Sequence, residues 1–414
     1  MIVTRPFDSA RPESPFLGLA PFLRMSIAGT DFLPIARDML ARAERDAGDA
    51  NLWMNLSIAM LCLGQRDSGL DIQARALEMQ RVYHLAASRQ PAKLRLLMLV
   101  VPGDLAANMP LDCLLENSDI DLDYYYVSPD DPLALPLPEH DALVVAMSES
   151  DANRGLLRRL ELELADWPKP VINSARNIPN TDRNTASVLL QNIPGLLIPP
   201  TLRAYRSALQ DIATGKARLP ALFEGCDFPI ILRPVGSHAG RDLDKIGCAE
   251  EISAYLSGVD ETEFFLSRFI DYSAQDGLFR KIRVALIDGA AYVCHMAVSS
   301  NWMVHYVNAD MYGDAQKRAE EAAFMAHFDD FVRCHRSALE AIYRRTGLDY
   351  VCIDCAQTRE GQLLVFEIDH AMVVHAMDPD DLFPYKRQHM QKVRNAFRDL
   401  VLRQTSGRAP GASV

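Results

Sequence analysis

The 414-residue chain has no apolar run approaching the roughly 20 residues that cross a bilayer. Its opening, MIVTRPFDSARPESPF, lacks the apolar core of a secretory signal. Basic charge is not in surplus: 43 Lys and Arg face 55 Asp and Glu, a net −12. That balance argues against a surface built for nucleic acid or anionic membrane. Eight cysteines are scattered without a framework, so reduced thiols and a cytoplasmic location are expected. Cys352 and Cys355 form a CxxC. A strand would turn them to opposite faces, and no second pair completes a zinc site, so they read as core thiols. The loop Val101-Pro102-Gly103-Asp104 is neither GxGxxG nor a Walker signature. What remains, 49% hydrophobic and 24% charged, suits a globular protein of two or three domains.

The strongest signal lies in Asp349 to His375. Tyr350, Val351, Cys352 and Ile353 form an apolar run closing on Asp354. Thr358, Arg359, Glu360 and Gly361 are turn chemistry. Leu363, Leu364, Val365 and Phe366 form a second run closing on Glu367-Ile368-Asp369. Continuous apolar runs mark strands buried on both faces. Carboxylates at their ends then need a cation or a full set of donors. Glu367 and Asp369, two apart, share a face, and hairpin pairing brings Asp354 beside them. Oxygen-only ligands from neighbouring strands suit Mg2+. An ordinary hairpin with solvated acids at its ends is the other reading, and this stretch alone leaves both open.

This stretch resembles the C-terminal metal-binding hairpin of the ATP-grasp superfamily, the fold of D-alanine–D-alanine ligase and glutathione synthetase. The family pattern is Asp at one strand end, then Glu-x-Asn at the next. Asp354 and Glu367 take the first two places, and Asp369 stands where the family usually has Asn. The resemblance spans about 94 to 400. It implies an α/β (α+β ATP-grasp) fold with an α/β domain at 91–200, preceded by a helical region at 1–90 read from its own spacing. A small lobe at 201–272, a C-terminal lobe with the metal site at 273–404 and a disordered tail at 405–414 follow. It also implies ATP and Mg2+, with Mn2+ able to substitute, held by Asp354, Glu367 and Asp369. The extra charge of Asp369 favours two ions over one.

Other positions are assigned through the same resemblance. Arg233 follows the apolar run Phe228 to Leu232, where the family usually has a phosphate-binding Lys. Gly236 to Gly240 is a small-residue loop similar to the flap over phosphates, with Ser237, His238 and Gly240 as cradle residues. Glu263 to Ile270 resembles the hinge strand, implying Ser267, Arg268, Phe269 and Ile270 around adenine. Asp271 or Asp276 is left for the ribose, with Asp276 the candidate. Lys281 and Arg283, two apart on a strand, share a face, and the resemblance points Arg283 at the transferring phosphate. Asp182-Arg183 occupies the place of an Asp-Lys pair, and whether Arg183 or Arg203 replaces the Lys stays open. His295, Ser299, Ser300, Trp302 and His305 suggest a substrate rim.

Residues 1 to about 30 read as a partly ordered leader, and 31–89 as helical. The third helix of that region is expected from about Asp67 to Ala87, and one long helix over 315–346. The segment from Asn51 to Met79 resembles one tetratricopeptide unit. One such repeat cannot bury its own face, so it packs on the body or holds a protein or peptide partner. The function implied is an ATP-dependent carboxylate–amine ligase acting through an acyl phosphate, on an amino acid or peptide. A homo-oligomer is expected, with no nucleic-acid or membrane partner. Two alternatives stay open: a kinase-like enzyme with a non-amine acceptor, and a nucleotide-binding scaffold or sensor.

Overall fold

Four helices come first: α1 (Ala20–Ile27), α2 (Leu33–Arg45), α3 (Ala50–Cys62) and α4 (Arg66–Met79). They belong to a computed structural model that describes residues 14–237 and 240–406. The first 13 residues of the expected leader, His238 and the tail from 407 lie outside the described residues. Helix α1 forms within the stretch expected to be an uneven leader. Its cap is remote: Asp112 Oδ2 accepts from Ala20 N at 2.8 Å, across 92 residues. No local pattern announces such a cap. Asp49 caps α3 by accepting from Leu52 N at 2.9 Å, an ordinary local signal. Where α4 packs on α3, Gly69 allows the close approach, since a Cβ there would sit 2.8 Å from Leu61 Cδ2.

The third helix stops at Met79 rather than running to Ala87. Its expected last turn is a strand, β1 (Val82–Leu85). Tyr83 explains the change: it is fully buried, and its hydroxyl donates to Ala76 O at 2.9 Å. Then come β2 (Leu94–Val100), α5 (Leu111–Leu115) and β3 (Ile120–Tyr126). β3 pairs parallel with β2 and antiparallel with β1. These elements form one compact unit, residues 1–140.

The second compact unit, 141–414, opens with β4 (Ala142–Val145), α6 (Arg154–Glu163) and β5 (Val171–Ile172). β4 and β5 are parallel, as alternation of strand and helix predicts. Next come α7 (Arg183–Leu189), β6 (Leu196–Leu197), β7 (Thr201–Tyr205), α8 (Arg206–Ala213), α9 (Leu219–Leu222), β8 (Ile230–Pro234), β9 (Asp244–Ile246), α10 (Ala249–Ser257) and β10 (Glu263–Arg268). Four of these strands make an antiparallel sheet in the order β7-β10-β8-β9. Leu209 of α8 and Ile252 of α10 close its core over Leu232 and Phe264.

The last sheet is built from β11 (Phe279–Ile287), β12 (Ala290–Ser299), β13 (Tyr350–Gln357) and β14 (Leu363–Asp369), with β6 added at its edge. Asp288 (φ 49°) and Gly289 (φ 80°) make the tight turn that an Asp-Gly pair favours. The helix expected over 315–346 is two helices, α11 (Ala315–Ala326) and α12 (Phe328–Thr346). His327 leaves helical geometry between them, where Phe324 packs edge-on against both Phe328 and Phe331. α13 (Lys386–Ser406) closes the chain. No described helix is long and apolar enough to cross a membrane.

The sheet is anchored by one side chain. Asn173, fully buried and left-handed at φ 56°, donates to Tyr350 O at 2.9 Å and accepts from Tyr350 N at 2.9 Å. It therefore satisfies both backbone groups where β13 begins. Losing a buried partner costs about 1–3 kcal/mol per orphaned group. Asn173→Gly, which keeps the backbone conformation, should lower unfolding free energy by roughly 2–6 kcal/mol in urea titrations. A variant as stable as wild type would show that these bonds contribute nothing net.

Candidate active site

Four strands place charge on one face. Arg283 of β11 lies opposite His295 of β12 and opposite Asp354 of β13. Asp354 in turn lies opposite Glu367 of β14. Residues paired across antiparallel strands share a face, and alternation adds Lys281 and Asp369 to it. Asp354 stands inside β13 rather than at its end, because the ladder with β14 continues to Gln357 and Leu363.

Asp354 is 2% exposed. Its Oδ1 accepts from Arg283 Nε at 2.8 Å, and its Oδ2 accepts from Arg283 Nη2 at 3.1 Å. Lys281 Nζ is 2.8 Å from the same Oδ2. Burial alone would raise the carboxyl; Arg283 and Lys281 outweigh it and hold it far below the usual range. Arg283 Nη1 also donates to Val373 O at 2.9 Å, which ties down the chain after β14.

Glu367 pairs with Arg183, the first residue of α7. Asp182 caps that helix by accepting from Thr185 N at 2.9 Å, so the Asp182-Arg183 pair is both cap and charge. Burial pushes Glu367 up, but Arg183 and then Arg233 bring it down to about 2. Of the two arginines left open by the sequence, Arg183 is the one beside Glu367. Arg203 is held instead between Asp151 and Glu263.

Arg233 lies within β8 rather than after it, because the strand runs to Pro234. It is 7% exposed. Its Nε and Nη2 donate to Ser237 Oγ at 3.3 and 3.2 Å, and Nη2 also reaches Ser237 O. Among the described residues no carboxylate lies within ion-pairing distance of it. Burial and the like charge of Arg183 pull its pKa below the ordinary arginine value. Gly240 lies close to His305, since a Cβ there would sit 2.4 Å from His305 Nε2. His305 feels Lys281, Asp354 and Glu367, so Gly240 borders the charged face.

Four cations, Lys281, Arg283, Arg183 and Arg233, thus gather with three carboxylates. Oxygen donors from adjacent strands have the chemistry a hard divalent cation takes. Both oxygens of Asp354 are occupied by Arg283 and Lys281, while Glu367 and Asp369 have the more exposed side chains. Asp369 Oδ1 accepts from Ala371 N at 2.9 Å. As these side chains stand, no group of three or more His, Cys, Asp or Glu among the described residues is gathered to hold a metal.

The remaining candidates divide. Phe269 meets Trp302 edge-on at 5.7 Å, and Lys245 Nζ lies 4.5 Å over its ring. Ile270 packs instead on the apolar cluster of Tyr272, Leu364 and Phe383. Ser267 lies opposite Thr201 and Ile231 inside the four-stranded sheet, and Arg268 is exposed. Asp276 is drawn into a chain with Arg280 and Glu320; the Arg280 guanidinium lowers it to about 2. Asp271 accepts from Ser273 N at 2.9 Å.

A second polar cluster carries no sequence signal. Glu321, fully buried, accepts from Tyr306 and Tyr385 hydroxyls at 2.8 and 2.7 Å and from Met296 N at 3.0 Å. Buried Lys386 reaches Glu321 at 3.5 Å, Asp378 at 2.9 Å and Tyr306 OH at 2.5 Å. Glu321 sits in the run KRAEEAA beside Glu320, and nothing in that pattern separates the buried acid from its neighbour.

No protein-family model matches the sequence, and no curated protein matches it. Among solved structures the chain is similar to D-alanine–D-alanine ligase from Bacillus anthracis complexed with ATP, at 13% identity and a TM-score of 0.44. That match covers 76% of this chain and 99% of the other. A RimK domain ATP-grasp protein from Sphaerobacter thermophilus matches at 16% identity and 0.42, over 74% of this chain and 99% of that one. The D-alanine–D-alanine ligase from Coxiella burnetii matches at 10% and 0.47, over 76% and 96%.

The charged face has an acid signature. Glu367 falls from an ordinary 4.5 to about 2 in the folded state. A depressed carboxyl stabilises the fold above its unfolded value and loses that stabilisation as pH drops through its folded value. Glu367→Gln should therefore flatten the dependence of unfolding midpoint on pH between about 4.5 and 2. An unchanged profile would mean that Arg183 and Arg233 do not hold this carboxylate.

Proposed function

We propose that this protein is an ATP-dependent ligase of the ATP-grasp kind, joining a carboxylate to an amine through an acyl phosphate with release of ADP and phosphate. The observation that carries the reading is Arg233: a buried guanidinium with no carboxylate partner among the described residues, beside a second cation. Burying an unpaired charge costs several kcal/mol, so such a group is retained where an anion arrives to meet it. A bidentate guanidinium suits phosphate oxygens. Lys281 and Arg283, fixed by Asp354, then face the transferring phosphoryl group. Positioning and charge neutralisation are most of what such a transfer asks of a protein.

The edge-on pair Phe269 and Trp302 offers apolar surface for a base. Glu367 and Asp369, with Asp354 behind them, would hold Mg2+, which supplies further neutralisation on the phosphates when bound. The amine acceptor is inferred from the implied ligase chemistry, and an acceptor hydroxyl would serve the same phosphate-binding face.

The test is calorimetric titration of ADP and a non-hydrolysable ATP analogue, with and without Mg2+. Arg233→Met should weaken nucleotide binding by at least about tenfold, or 1.4 kcal/mol, with an unchanged circular-dichroism spectrum. Glu367→Gln should remove most of the dependence on Mg2+, and Glu367→Ala should abolish turnover. Wild-type protein that binds no nucleotide in either condition would overturn the reading.

A further inference from the structure

His295 stands between the charged face and the Lys386 cluster and is tied to neither. Its backbone pairs with Arg283 across β11 and β12, and its ring centroid is 4.9 Å from that of Tyr306. Tyr306 in turn bonds Glu321 and Lys386. Among the described residues the His295 imidazole makes no hydrogen bond and no ion pair. The charged groups around it are Arg283 from β11, Lys386 from α13, Asp354 from β13 and His375 from the segment after β14. Burial and then the cations Arg283 and Lys386 keep the ring unprotonated at neutral pH, with Asp354 the opposing influence. It is a neutral ring with an uncommitted nitrogen lone pair. It lies one strand away from the arginine that would face the phosphoryl group.

We propose that His295 is the base that takes the proton from the acceptor nucleophile as it attacks the activated carboxylate. The inference rests on the ligase reading above. In that step the acceptor nitrogen forms a bond to the acyl carbon. The bond from that carbon to the phosphate oxygen breaks, and its electron pair leaves on phosphate. The N–H proton passes to the imidazole and from there to solvent. The setting suits the timing. Even paired with Asp354, Arg283 suppresses the basicity of the ring through its charge. A bound phosphate offsets that charge, so the ring becomes a stronger base when the acyl phosphate is present.

The experiment separates the two half-reactions in the full-length protein. ADP release is measured with ATP, Mg2+ and a panel of D-alanine and the L-amino acids as carboxylates. Hydroxylamine serves as an external trap for the acyl phosphate, and amide formation with the same amino acids as acceptors is followed separately. For His295→Gln, acyl hydroxamate formation should stay within about threefold of wild type. Amide formation should fall by about 100-fold or more, the usual contribution of a general base. The acidic limb of its pH profile should also disappear. Equal loss in both assays, with the wild-type pH profile retained, would make His295 a structural residue and overturn the proposal. Amide formation at the wild-type rate would overturn it as well. If wild type releases no ADP with any of these carboxylates in either assay, the ligase reading fails first and this inference falls with it.

Discussion

The charged face depends on one buried carboxylate. Asp354 holds Arg283 with both its oxygens and Lys281 with one of them, in the middle of a strand where its neighbours Ile353 and Cys355 are fully buried. Without it two cations would lie buried and unmatched, and breaking a buried pair in this way costs about 3–5 kcal/mol. The flanking strands are arranged around that pairing. β11 supplies the cations, β13 the acid, and β14 brings Glu367 opposite Asp354. Arg183 approaches from outside the sheet and pairs with Glu367, and Arg233 acts on the same carboxylate through its charge without pairing with it. The cluster is therefore built outwards from a satisfied centre to a less satisfied margin. Among the described residues Asp354 is saturated, Glu367 is held by one ion pair, and Arg233 has hydroxyl and carbonyl partners alone. Ligand affinity belongs at that margin, because a saturated ion pair has little left to offer.

Much of this was legible in the sequence where the signal is local. Apolar runs ending in acids marked β13 and β14, and Asp288-Gly289 marked the turn of β11 and β12. The two-residue spacing of Lys281 and Arg283 placed them on one face. Signals failed where the determining contact is remote. Tyr83 ends a helix early because of what it packs on, and His327 interrupts a pattern that reads as one continuous helix. α1 forms under a cap from Asp112. The choice between Arg183 and Arg203 needed the third dimension, since both precede or follow similar polar stretches. Glu321 and Lys386 were invisible for the same reason: each sits in a charged helical run whose buried member is selected only by packing.

The two polar clusters differ in kind. Around Lys386 the acids Glu321 and Asp378 and the hydroxyls of Tyr306 and Tyr385 have partners, and the rings of Tyr306 and Phe383 lie against the ammonium. Such a network fixes α13 and the segment containing Asp378 against α11 in a single arrangement. The sheet face has surplus cationic charge and Gly240 at its border. One cluster gives rigidity, and the other leaves charge to be met by something else. His295 touches the boundary between them.

The cap on α1 bears on the order in which this protein is made. Ala20 leaves the ribosome long before Asp112, the residue that accepts a hydrogen bond from its backbone N–H, has been synthesised. Until then the first helix has an open end and short helices do not persist alone in water. The N-terminal region must wait for β2 and α5 before its first element can settle, although α3 and α4 carry their own signals and can pair earlier. A segment that emerges before its capping partner is in this way secured only after that partner, so growth from the N-terminus does not set the sequence of assembly.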